Sequence, residues 1–270
     1  EQLDCAGVVK RLGFEKQAEQ FTPYTRVAAD AWVEQARQHP KFTNVIASYE
    51  KLVELGVATR VRGNQGIYKD FAFDAQYLYD YRLEAAIKEY AFEPEIAQAL
   101  SDLRQSLRPL WSEYKQPYSY GVLLLADGDR MGELLDQAKN KAEHKAITEA
   151  LSQFAGSVPA LMREYQGQCI YSGGDDVLGF VPLHQAYDCS KALSDAFSQA
   201  LNQIATQLKV DQKPTLSVGL AVCHVNTPLS VIRELAAKAE KHAKGDHCPI
   251  DERRNSLAVL LSVRSGTDTY

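Results

Sequence analysis

YSGGDDVLGF, residues 171–180, is the stretch on which the reading of the chain turns. Two apolar, β-rich runs flank the pair Gly173-Gly174, and glycines are what a tight hairpin demands. Asp175 and Asp176 follow at once, at the start of the returning strand and on opposite sides of it by strand alternation. Aspartate commonly assists a turn, and that is the plain account of both residues. Two ionised groups so close to apolar strands are nevertheless costly unless something cationic compensates them.

A second acidic cluster ends an earlier β-rich run: Ala126-Asp127-Gly128-Asp129-Arg130-Met131-Gly132. Here too a strand stops, an aspartate follows, and a glycine lets the backbone approach a ligand closely. A helix begins immediately, so the amides of Arg130, Met131 and Gly132 would be available to hold an anion at its N-terminus. Carboxylates from two strand ends beside such a helix start describe a Mg²⁺–nucleotide site, because Mg²⁺ takes one or two carboxylates plus substrate phosphates. Two such ions about 3.5–4 Å apart would activate an attacking hydroxyl and stabilise a leaving pyrophosphate. Neither cluster alone specifies this chemistry; the two in this strand order do.

The chain has two halves of different pattern. Residues 1–117 read as helices: Ala28, Ala31, Trp32 and Ala36 have helical spacing, as do Val45, Ile46, Tyr49, Leu52, Val53 and Leu55, with Gly56 as a stop. Tyr77, Leu78, Tyr81, Leu83 and Ile87 continue the pattern, and a last helix over residues 93–114 is interrupted or ended by Pro109. Tyr77, Tyr79, Tyr81 and Trp111 could form a base-stacking platform, but their helical spacing favours packing. From Tyr118 onward, strands at 121–126, 168–171, 177–181, 216–222 and 256–263 alternate with helices. The order βααββαβαβ implies an α+β layer, a mixed sheet covered by helices on one face. The natural division is at Lys115-Gln116-Pro117, giving a helical domain over 1–117 and a second domain over 118–270.

Composition narrows the function. Of the 270 residues, 45% are apolar and 24% charged, as in a soluble globular protein. The longest apolar runs, such as 121–126, are too short to span a bilayer. No signal segment opens the chain, and Glu1 in place of Met suggests a piece of something longer. Five cysteines without a CxxC pair argue against a disulfide framework and for a reducing, cytoplasmic compartment. His247-Cys248 is the nearest approach to a metal pair and falls short of zinc-ligand spacing. A net charge of −5 predicts no general affinity for nucleic acid. Local RNA contact would fall at residues 59–63 or 139–141, whose charges read more simply as a solvated face.

The GGDD hairpin and the Asp127 cluster closely resemble the palm domain of the large subunit of type III CRISPR effector complexes, the Cmr type in particular. Residues 119–264 are more distantly similar to GGDEF diguanylate cyclases and polymerase palms. The run Pro214-Thr215-Leu216-Ser217-Val218-Gly219-Leu220-Ala221 resembles the strand that GGDEF proteins place after their third helix. Ala239-Glu240-Lys241-His242-Ala243-Lys244-Gly245 and Arg254-Asn255 resemble their closing helix and its Gly-Arg-Asn. The resemblance implies a ferredoxin-like palm preceded by an all-helical domain. It implies Asp127 and Asp175 as metal ligands, helped by the Gly128 carbonyl, with Asp176 completing or tuning the site. Arg130, Met131, Gly132, Ser172, Gly173 and Gly174 would contact the nucleotide, and Lys244 and Arg254 would neutralise its triphosphate. By the plain reading Lys244 is a surface cation at a helix C-terminus. Arg254 follows an insertion, residues 246–253, absent from the relatives.

One departure bears on substrate. GGDEF cyclases read guanine with an asparagine eight residues beyond the first metal aspartate, where this chain has Leu135. The resemblance therefore implies ATP as substrate, Mg²⁺ or Mn²⁺ as cofactor, and cyclic oligoadenylates as product in RNA-guided antiviral defence. Its implied partners are other effector subunits, with guide and target RNA reached through the full complex, and no membrane. The relatives also carry a nuclease region and a zinc module, yet no His-Asp dipeptide and no CxxC occurs here, so the chain reads as a central fragment. A diguanylate cyclase and an inactive scaffold palm are the alternatives.

Overall fold

The computed structural model describes residues 22–61, 68–245 and 254–263. Among the described residues, five α-helices come first: α1 Tyr24–Ala28, α2 Asp30–Ala36, α3 Phe42–Glu54, α4 Asp80–Glu89 and α5 Pro94–Tyr114. Pro94 suits a helix start, where its missing N–H costs nothing. Val45, Tyr49 and Leu52 of α3 meet Leu100, Leu103, Leu107 and Leu110 of α5 in one buried cluster with Tyr77, Leu78 and Leu83, the product of apolar stripes at helical spacing. Tyr77 and Tyr79 are buried, the Tyr77 N–H donates to the Tyr49 hydroxyl at 2.9 Å, and Trp111 Nε1–H donates to the Leu78 carbonyl at 3.2 Å. These aromatics are core and form no stacking platform. Nor does Pro109 end α5, which runs through it to Tyr114. Leu107 and Leu110 on either side are fully buried, and that packing offsets the single ladder bond a proline removes. An isolated bridge, Arg60–Phe73, interrupts the helical pattern.

The second half follows the expected order: β1 Tyr120–Asp129, α6 Met131–Gln137, α7 Lys141–Glu164, β2 Gln168–Gly173, β3 Asp176–Val181, α8 Ala186–Gln207, β4 Thr215–His224, α9 Leu229–Ala243 and β5 Leu257–Ser262. The sheet order is β2-β3-β1-β4-β5. The first four strands are antiparallel to their neighbours, the ferredoxin-like arrangement, and β5 joins β4 in parallel. β1 is therefore central, and its C-terminal end emerges between β3 and β4.

Helices cover both faces of the sheet, not one. Phe154 and Val158 of α7 and Phe197 and Leu201 of α8 pack on Val122, Leu124, Val177 and Val218. On the other face, Ile232, Leu235, Ala236 and Ala239 of α9 pack on Leu123, Ala221, Cys223 and Leu260. The physical cause is that both alternating sets on β1 and β4 are apolar, and β4 is buried almost throughout, the signature of a strand sandwiched on two sides. β3–α8–β4 and β4–α9–β5 both join parallel strands stepping the same way across the sheet, yet pass over opposite faces. The two crossovers are thus of opposite hand, an exception to the uniform hand of such units.

Segments before residue 118 complete the second face. Val27 of α1 joins the α9 cluster, the Tyr24 ring lies 4.7 Å from that of Phe180, and its hydroxyl donates to the Cys223 carbonyl at 3.0 Å. Arg26 anchors α1 from within: both it and Asp30 are 1% exposed, paired at 2.9 Å, while Arg26 Nε–H donates to the Phe71 carbonyl at 2.9 Å.

Candidate active site

β1 carries Asp127 and Asp129 on one face and Gly128 on the other. β4 runs beside them, with Asp127 opposite Ser217 and Asp129 opposite Thr215. Asp129 is 2% exposed, so its charge requires partners. It accepts hydrogen bonds from the hydroxyls of Thr215 at 2.9 Å and Ser217 at 2.8 Å and from the Asn255 N–H at 3.1 Å. Arg254 Nε lies 3.9 Å away. Asp129 is therefore an organising carboxylate that ties β1 to β4 and to the approach of β5. The sequence signal was available: an acid two residues from Asp127, with hydroxyls at alternate positions on the partner strand.

Asp127 is half-buried and ion-paired with the Lys244 ammonium. Lys244 caps the C-terminus of α9 and also lies 3.0 Å from Glu240 Oε1, one turn earlier. The backbone of α9 reaches this end of the sheet because Gly219 of β4 lets it. A Cβ at Gly219 would sit 2.1 Å from Glu240 N and 2.6 Å from Glu240 Cα. Glu240 and the spacing role of Gly219 are features that sequence reasoning missed, since only the contact between α9 and β4 gives them meaning. Arg254 belongs to the same cluster despite the preceding insertion: its Nη1–H donates to the Lys244 carbonyl at 3.4 Å. Arg254 and Asn255 have φ of 79° and 50°, a left-handed pair held beside Asp129. The His247-Cys248 pair lies outside the described residues.

The hairpin closes the site from the other side. Gly173 pairs with Asp176, leaving Gly174 and Asp175 as a two-residue loop. Gly174 has φ +65°, as the first position of a II′ hairpin requires. Asp175 is thus in the turn itself, and only Asp176 stands on the strand, where it is exposed; the expectation of opposite strand faces is corrected accordingly. The Asp175 carboxylate lies over β1, where a Cβ at Gly128 would be 2.6 Å from Asp175 Cβ and 2.9 Å from Oδ2. Gly128 is the cradle that receives Asp175, on the face of β1 opposite the one that carries Asp127. Burial, and then the charge of Asp176, lift the Asp175 carboxyl above the ordinary range. Ser172 donates to the Ala155 carbonyl at 2.9 Å, tying β2 to α7. A bulge between Cys169 and Tyr171 precedes it, a local twist of the kind found beside active sites.

Beyond β1, Arg130 caps α6 in the left-handed region at φ 60° and accepts the Leu134 N–H at 3.2 Å. Met131 and Gly132 occupy the first turn, whose amides project from the helix end. Leu135, 40% exposed, follows on the same short helix. Among the described residues, no group of three or more His, Cys, Asp or Glu is arranged to hold a metal, and no helix is long and apolar enough to cross a membrane.

Residues 119–258 match the family model of Cas10/Cmr2, second palm domain. The chain is 25% identical over 190 residues to the CRISPR system Cmr subunit Cmr2 of Pyrococcus furiosus, covering 60% of this chain and 20% of that protein. It thus spans about one fifth of the curated relative it matches. Among solved structures, Csm1 of T. onnurineus is similar at 19% identity and a TM-score of 0.39, over 53% of this chain and 20% of Csm1. The guanylyl cyclase Cya2 is similar at 11% identity and a TM-score of 0.37, over 53% of this chain and 74% of the cyclase. The family match takes in the Asp127 strand, the GGDD hairpin and Lys244 and extends over just over half of the residues, and on that ground the chain belongs to the Cas10/Cmr2 second-palm-domain family.

Proposed function

We propose that the chain is the palm region, with its helical cover, of the large subunit of a type III CRISPR effector complex, and that it joins ATP into 3′–5′-linked cyclic oligoadenylates. One observation carries this reading: β1 and the GGDD turn gather carboxylates around Gly128, Asp127 beside it on one face of β1 and Asp175 over its other face, with Lys244 already on Asp127. Hard carboxylate oxygens, few in number and flanked by cations, suit a divalent ion that completes its shell with substrate phosphates and water. Asp127, Asp175 and the Gly128 carbonyl would hold Mg²⁺ or Mn²⁺, with Asp176 tuning the charge. When bound, the ion lowers the barrier to attack by a 3′-hydroxyl on an α-phosphate and steadies the departing pyrophosphate.

The remaining steps belong to the chain's own residues. Lys244 and Arg254, adjacent at the end of α9, neutralise the triphosphate through charge-assisted contacts. Amides of Met131 and Gly132 and the backbone of the Gly173-Gly174 turn orient the phosphates. Leu135 offers apolar surface to the base and no partner for a guanine edge, which supports ATP over GTP. Effector subunits, and guide and target RNA through them, would be the partners, in the cytoplasm. Incubating the chain with radiolabelled ATP or GTP and Mn²⁺, then sizing the products, tests this. Cyclic oligoadenylates from ATP are expected. A cyclic dinucleotide from GTP would make it a diguanylate cyclase, and no product from either, in the assembled complex, would leave a scaffold.

A further inference from the structure

Lys244 is held between two carboxylates rather than projecting into solvent. It pairs with Asp127 and lies 3.0 Å from Glu240, and its side chain is only 25% exposed. The helix presenting it cannot retreat easily, because the Glu240 backbone lies directly on Gly219. The four-carbon stem, by contrast, turns freely. We infer that Lys244 is a placeholder cation: it neutralises Asp127 until a divalent ion arrives, then withdraws to Glu240 and the incoming phosphates. This inference rests on the metal-site reading of Asp127 given above.

An ammonium and a divalent ion cannot share one carboxylate oxygen, because like charges at such separation repel strongly. Metal alone arriving at Asp127 Oδ2 must therefore displace Lys244 from it, at a cost to affinity. Metal arriving with a triphosphate supplies the ammonium with new partners, so the two ligands help each other bind, reciprocally. The arrangement favours loading of the ion together with its nucleotide. Glu240 is then a positioning residue that keeps the ammonium at the site in both states.

The test is Mn²⁺ binding without nucleotide, followed by paramagnetic resonance, on the wild-type chain and on Lys244→Met, Lys244→Gln and Asp127→Asn. Thermal melting first establishes that each variant folds. Both Lys244 variants should bind Mn²⁺ about two- to fivefold more tightly than wild type, the scale of a partly exposed ion pair removed. ATP should tighten Mn²⁺ binding more in wild type than in either variant. Unchanged or weaker Mn²⁺ binding by folded Lys244 variants overturns the placeholder role while leaving the metal site intact. Asp127→Asn binding Mn²⁺ as wild type does would instead remove the metal-site reading, and this inference with it. Mg²⁺ titration of the ¹⁵N-labelled wild-type chain gives a second readout: the Lys244 ammonium signal should shift as Asp127 is taken. A signal that stays in place as Mg²⁺ saturates the chain overturns the exchange.

Discussion

Gly219→Ala tests how the site is assembled. The added Cβ would meet Glu240 N at 2.1 Å, Glu240 Cα at 2.6 Å and Ala239 C at 2.7 Å. All three are backbone atoms of α9, so no side chain can swing aside. Restoring ordinary contact requires α9 to withdraw by about 1 Å, which loosens Ile232, Leu235, Ala236 and Ala239 from the sheet. Overpacking of this kind costs about 1–3 kcal/mol, and a backbone obstacle belongs at the upper end. At about 2–4 °C per kcal/mol for chains approaching this size, Tm should fall by roughly 4–12 °C. Lys244 rides on α9, so its pair with Asp127 should also loosen, and the Lys244 ammonium signal should lose its protection. Gly156→Ala is the matched control: in the middle of α7 its Cβ meets nothing within 4 Å, so it should stabilise by about 0.5–1 kcal/mol. Gly219→Ala melting with wild type, and retaining a protected Lys244, would refute the close approach of α9 to β4.

Three further outcomes are expected. Gly128→Ala places a Cβ 2.6 Å from that of Asp175 and 3.0 Å from the Phe197 ring; it should lower stability by about 1–3 kcal/mol in denaturant melts and weaken Mn²⁺ binding by lifting the hairpin off β1. Asp129→Asn exchanges an acceptor for a donor facing two hydroxyls and the Asn255 N–H, and an orphaned buried group costs about 1–3 kcal/mol; amide exchange should quicken first at Asn255 and along β5. Asp175 has a raised folded pKa, from burial and then Asp176, so its contribution to stability is present below the ordinary aspartate range and is lost as pH rises through the raised value. Asp175→Asn should accordingly raise the metal-free Tm near pH 7, with the gain shrinking towards pH 3, and a gain that grows on acidification would contradict the shift.

Much of this was legible in the sequence because local chemistry dictated it. The GGDD turn needs Gly174 at positive φ, and the βααββαβαβ order follows from periodicities that switch between 2 and 3.6. The place of Asp127 near the end of β1 was equally local, whereas Asp175, read as the start of the returning strand, lies in the turn. What escaped was relational. Asp129 becomes an organising residue only when Thr215, Ser217 and Asn255, distant in sequence, are brought round it. The second helical face escaped because β4 reads as an apolar run whether one side or both are covered, and because the crossovers through α8 and α9 differ in hand. Pro109 looked like an interruption or an end because its cost is local while the packing of Leu107 and Leu110 is not. Lys244 was marked for the site only through the resemblance; its own setting at a helix end read as a surface cation, since its partner on β1 lies more than a hundred residues away.

The central claim is that the ends of β1 and the β2–β3 hairpin form one cation site for a nucleotide triphosphate. Anomalous scattering from crystals soaked in Mn²⁺ and a non-hydrolysable ATP analogue measures this directly. The expected result is a manganese peak between Asp127 and Asp175, within ligand distance of both carboxylates, with Lys244 turned from Asp127 towards the phosphates. Manganese bound elsewhere, or the analogue seated away from both carboxylates with Lys244 still on Asp127, would contradict it.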